Sequence, residues 1–122
     1  KNGTDKEYHI AKHPFLKKAV LSFPLKDENC IPEVMVSDVK SGRVGQIDLL
    51  TINDKNMEKE AVVEGYKSDA DIRKNLAGHF AQLSFYAHIL KAHGWSVPMV
   101  RVWNYASKGW EKFESDVLEI KQ

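Results

Sequence analysis

At 122 residues, with 43% hydrophobic and 29% charged residues, the chain has the size and composition of one globular domain, long enough to bury a core and too short for two. A formal net charge of +1, from 18 basic and 17 acidic residues, excludes the global basic field of many nucleic-acid binders, so any such binding must use local patches. No stretch approaches the roughly 18 apolar residues of a membrane span, and the single cysteine, Cys30, forms no internal disulfide, so a soluble, cytoplasmic protein without a membrane partner is expected.

The chain opens on Lys1-Asn2-Gly3 rather than methionine, which fits a piece of a larger parent polypeptide. Thr4 or Asp5 caps a helix that runs to about Lys12. Pro14 disfavours helical geometry at His13 and starts a second short helix towards Val20. Residues 24–32 read as a loop, 33–37 as a β-branched strand and Lys40-Ser41-Gly42 as a turn. Residues 43–52 are apolar at both parities, with Ile47 and Leu49 on one face and Val44 and Leu50 on the other, as expected for a central strand covered on both sides.

Asn53-Asp54-Lys55-Asn56 is turn chemistry, and residues 60–68 make a third strand, hence a hairpin. Asp69 or Asp71 caps a long helix over 72–93, where Ile72, Leu76, Phe80, Leu83, Ala87 and Leu90 recur at helical spacing and Gly94 follows as the stop. Residues 96–105 form a fourth strand, Lys108-Gly109 a turn and 110–120 a fifth strand. The result is a mixed α/β fold: helices, a three-stranded meander, a helical crossover and two further strands.

Asp48 and Lys67 are charges carried in apolar strands, which is costly unless each meets a counter-charge, a hydrogen-bond donor or a metal. A hairpin about 53–59 would bring them to one end of the sheet. Carboxylates gathered there would hold a hard divalent cation, and the ammonium would steady a phosphate or polarise water. The plainer readings are a strand-end aspartate that caps a turn and a lysine that guards an edge.

Three segments in order carry a likeness to a known family: Gly45-Gln46-Ile47-Asp48-Leu49-Leu50, Val62-Val63-Glu64-Gly65-Tyr66-Lys67-Ser68 and Gln82-Leu83-Ser84-Phe85-Tyr86. They resemble the Gly-x-Ile-Asp strand, the Val-Val-Asp-Tyr-Lys-Thr strand and the Gln-Leu-x-x-Tyr helix of the PD-(D/E)XK nuclease superfamily, in its RecB-like exonuclease and helicase-associated branch. The resemblance covers roughly residues 33–105. It implies a restriction-endonuclease-like core and a metal-dependent DNA nuclease in recombination, repair or a phage setting. Mg²⁺ or Mn²⁺ would be the cofactor, DNA the substrate, and a helicase or recombination protein a partner. Asp48 would be a metal ligand, Lys67 the catalytic lysine, and Gln82 and Tyr86, four apart on one helical face, the substrate contacts.

The departure lies two residues before Lys67, where the family places its second acid and this chain has Gly65. Strand alternation puts Glu64 on the face opposite Lys67. A bulge at Gly65 would turn Glu64 inward as a catalytic and metal-binding residue. Alternatively Asp69 or Glu33 supplies the carboxylate, or the module binds nucleic acid or a protein partner without cutting.

Among the histidines, His9 and His13 share a spacing of four and His79 lies one turn before Gln82. Surface or structural roles are the plainer reading for all of them. Trp103, Tyr105, Trp110 and Phe113 fit cross-strand pairs better than base stacking, and Cys30 reads as inert.

Overall fold

The structure, a computed structural model, describes residues 30–38, 40–53 and 60–119. The expected N-terminal helices, with His9 and His13, and the 54–59 connection lie outside the described residues. Five strands, β1 (Cys30–Ser37), β2 (Val44–Asn53), β3 (Glu60–Lys67), β4 (Met99–Ala106) and β5 (Gly109–Asp116), form one sheet in the order β1-β2-β3-β4-β5. The β1-β2, β2-β3 and β4-β5 pairs are antiparallel, while β3 and β4 are parallel. The parallel pair needs a crossover, and α1 (Ile72–Ala92) supplies it. The mixed α/β architecture is thus the one the element order implies.

Local chemistry explains the boundaries. The β1-β2 turn closes on Asp38, whose carboxylate accepts from Ser41 Oγ at 2.7 Å, while Gly42 takes a φ of 71° that a side chain would strain. At its far end α1 stops where Gly94 N–H donates to Lys91 O at 3.0 Å and Trp95 N–H to Leu90 O at 3.1 Å, the paired bonds of a glycine C-cap. At the start of α1 the N-cap residue is Asp71, but its side chain makes no capping bond. The first strand begins at Cys30, three residues earlier than the sequence suggests, because Pro32 is tolerated on an edge strand. The fifth ends at Asp116 rather than at 120.

The main core lies between α1 and one sheet face and gathers Ile47, Leu50, Ala61, Val63, Leu83, Ala87, Leu90, Val100 and Val102, among others. A second, smaller cluster on the opposite face joins Leu49 and Tyr66 with Cys30, Trp103 and Trp110. Burial pushes the Tyr66 phenol pKa up, and the Glu64 and Asp48 carboxylates add to it.

This division corrects one expectation. Ile47 and Leu49 do not share a face: Ile47 packs under the helix with Leu50, and Leu49 packs on the other side. The β1-β2 ladder pairs Pro32 with Leu49 and Val34 with Ile47, and between these pairs Glu33 adopts a φ of 53°. A left-handed residue rotates the strand, so alternation slips at Glu33 and, across from it, at Asp48.

Candidate functional site

The crease sets Asp48 towards β3. Its Oδ2 accepts the backbone N–H of Tyr66 at 2.8 Å, just past the last regular β2-β3 pair, Leu49 with Glu64. A Cβ placed on Gly65 would lie 3.7 Å from the same oxygen and 3.3 Å from Leu83 of α1. Residue 65 therefore faces Asp48 on the helix-covered side. Lys67 has the parity of Gly65 and Val63, is half-buried, and pairs in register with Asn104 of β4. Position 65 thus faces Asp48, and Lys67 follows two residues on at the same strand parity.

Glu64 does not join them. It stays in register between Leu49 and Arg101, with 2% exposure, so Gly65 makes no bulge that turns it inward. Its Oε1 accepts from Arg101 Nη1 at 3.0 Å and Trp103 Nε1 at 2.7 Å, and its Oε2 accepts from the Thr51 hydroxyl. The catalytic and metal-binding role expected of Glu64 gives way to a structural one, because strand parity turns it to the far face and three donors saturate it there. Arg101 continues the network to Glu114 at 2.7 Å, and this pairing holds the Glu114 carboxyl below its usual pKa.

Asp69 is likewise committed. Its Oδ2 meets His79 Nε2 at 2.7 Å and accepts from Asn75 Nδ2 at 3.0 Å. Burial works to raise its pKa, but these hydrogen bonds outweigh it and the pKa is lowered. Asn104 clamps the same loop twice, accepting from Asp69 N–H at 2.8 Å and donating to Asp69 O at 3.0 Å.

Asn75, His79, Gln82 and Tyr86, spaced by four, three and four, share one helical face. That spacing was legible, but Asn75 and Asn104 were missed, because an amide that latches a loop has no local sequence signature. Gln82 Nε2 donates to Tyr86 Oη at 3.1 Å. The Tyr86 ring lies against the Gly45 backbone, where an added Cβ would stand 2.2 Å from Cε1. Both side chains line an open cleft of about 740 Å³ with Arg43, Phe85, Leu118 and Glu119, and the Arg43 guanidinium sits 4.2 Å from the Phe85 ring centroid.

Gly45→Ala is therefore expected to destabilise the protein by about 1–3 kcal/mol through overpacking. Tyr86→Ala in the same chain should remove most of that loss, as read by a thermal-denaturation double-mutant cycle.

Glu33 lies across from Asp48 on β1, with one carboxylate oxygen buried. Among the described residues, however, no group of three or more His, Cys, Asp or Glu side chains is placed to hold a metal ion. Asp48 would offer one carboxylate and Gly65 offers none, so the described residues do not by themselves complete a Mg²⁺ or Mn²⁺ site.

Among the described residues, the other two histidines have backbone partners, His88 at Leu118 O (2.8 Å) and His93 at Ile89 O (2.9 Å). Tyr105 and Trp110 form the expected cross-strand aromatic pair, 5.2 Å between centroids.

No protein-family model matches the chain, and no curated protein matches it. Among solved structures it is similar to one described as the crystal structure of SSO0001, with a TM-score of 0.55 and 17% identity over 84% of this chain and 49% of that one. The chain thus spans about half the length of that structure, and the likeness supports the α/β fold alone. Among the described residues no helix is long and apolar enough to cross a membrane.

Proposed function

We infer that this chain is a nuclease-type DNA-processing module of the PD-(D/E)XK superfamily, in its RecB-like branch, with a restriction-endonuclease-like core and phosphodiester hydrolysis as its reaction class. What supports the reading is that position 65 faces Asp48 on the helix-covered side, with Lys67 two residues further on at the same parity beside the parallel β3-β4 pair. Lys67 would supply positive charge for a phosphate, and Gln82 and Tyr86, hydrogen-bonded to each other on α1, would be the substrate contacts. Mg²⁺ or Mn²⁺ would be the cofactor, held by Asp48 with a further carboxylate, for which Glu33 is the described residue next to Asp48 by register. Recombination, repair or phage DNA processing, beside a helicase or recombination partner, is the setting the resemblance implies.

A second reading, binding of DNA or a protein partner without cleavage, is favoured by Gly65 itself and by the commitment of Glu64 and Asp69 to other bonds.

Calorimetric titration of Mn²⁺ into wild type and Asp48→Ala, followed by incubation of each with single- and double-stranded DNA, separates the two. The nuclease reading expects Mn²⁺ heat and DNA degradation that both vanish in Asp48→Ala. DNA binding with neither would leave the non-cleaving module. No binding and no cleavage in any condition would sink both.

A further inference from the structure

The helix α1 meets the chain two residues to either side of Lys67. Leu83 lies 3.3 Å from a Cβ built on Gly65, and His79, one turn earlier on α1, bonds to Asp69. Lys67 therefore stands between the two contacts, and its charge helps to lower the Asp69 pKa.

Asp69 is fixed in backbone and side chain alike. Asn104 holds its N–H and C=O, at 2.8 and 3.0 Å, while its Oδ2 meets His79 Nε2 at 2.7 Å and accepts from Asn75 at 3.0 Å. The loop is already closed by Asn75 and by both bonds to Asn104, so a latch alone does not need an imidazole here. With its pKa lowered, Asp69 is a carboxylate at neutral pH and can only accept, so the hydrogen of the pair belongs to His79 Nε2. Nδ1 is then the bare nitrogen, and among the described residues no protein group bonds to it. The His79 side chain is 19% exposed, so water reaches it.

We propose, resting on the nuclease reading above, that His79 is the general base of the hydrolysis, oriented by Asp69, and that it does not depend on the acid missing at position 65. A water beside Nδ1 gives one proton to it as the water oxygen bonds to the phosphorus of a DNA phosphodiester. The bond from phosphorus to the bridging oxygen breaks; that oxygen leaves with the electron pair and takes a proton from solvent, and the imidazolium releases its own to solvent. Lys67, next along the seam, meets the charge that gathers on the non-bridging oxygens.

The test follows cleavage of end-labelled single- and double-stranded DNA in Mn²⁺. His79→Ala should slow it about 100-fold or more, and added imidazole should restore about tenfold in that variant while leaving wild type unchanged. His79→Gln can still donate to Asp69, so it should melt like wild type and yet lose as much activity. Independently of cleavage, nitrogen-15 spectra of the wild-type ring should place its proton on Nε2, a preference that Asp69→Asn removes.

A His79→Gln variant that cleaves as fast as wild type, a loss in folded His79→Ala that imidazole leaves untouched, or a wild-type ring protonated on Nδ1 would each overturn the general base and leave the nuclease reading in place. A wild type that cleaves neither DNA would overturn both.

Discussion

Replacing Gly65 with aspartate is expected to create a Mn²⁺ site at Asp48 that binds about tenfold or more tightly than any the wild type shows, a difference of about 1.4 kcal/mol or more. The Cβ at position 65 points to Asp48 Oδ2 at 3.7 Å, so a carboxylate there comes within reach of the same cation. Its closest neighbour is the Leu83 Cδ2 methyl at 3.3 Å, a branch that yields by a few tenths of an ångström, so the substitution fits without moving backbone.

Two carboxylates facing each other without a cation repel, and the variant should melt below wild type in chelator. Adding Mn²⁺ at about 100 times its dissociation constant should return about 2.7 kcal/mol of stability. The same titration in a chain carrying both Gly65→Asp and Asp48→Ala should show neither effect. A variant whose melting temperature ignores Mn²⁺ would mean that position 65 does not face Asp48 in solution and that the site assignment is wrong. Gain of DNA cleavage along with the metal would show that Gly65 alone separates this chain from a working nuclease site.

The second large effect belongs to the opposite face. Arg101→Ala is expected to destabilise the protein by about 3 kcal/mol or more, because it leaves Glu64 with an uncompensated buried charge. Glu64 has 3% side-chain exposure and Arg101 21%, and their contact is 3.0 Å. At roughly 3–6 °C per kcal/mol for a domain of this size, the loss corresponds to a fall in melting temperature of about 10 °C or more.

Pairing Arg101→Met with Glu64→Leu should recover much of that loss, since replacing both members of a buried pair by apolar groups is often neutral. If Glu64 instead serves the metal site, Arg101→Ala would alter Mn²⁺ binding with little change in melting, and the structural assignment of Glu64 would have to be abandoned.

Much of the architecture was legible in the chain. Helical spacing from Ile72 to Leu90 and the glycine after it defined α1 because an amphipathic helix writes its buried face into sequence at a fixed period. The meander followed from β-branched runs separated by turn residues, and parity alone placed Glu64 opposite Lys67. The exchange of faces between Ile47 and Leu49 was not legible, because it depends on one left-handed residue, Glu33, on the neighbouring strand. Nor were the partners of Asp69 and Glu64, which come from residues 10 and 37 positions away for His79 and Arg101.

The sequence by itself therefore determined the kinds and order of the described elements, the pairing of β2 with β3, and the shared strand parity of Gly65 and Lys67, since these rest on local periodicity and hairpin closure. Tertiary structure alone decided which carboxylates stay available to the site: Glu64 is drawn to Arg101 and Trp103, and Asp69 to His79 and Asn75. A buried charge goes to whichever donors the packed fold brings within hydrogen-bond reach, and packing, unlike periodicity, is not written in any one segment of the chain.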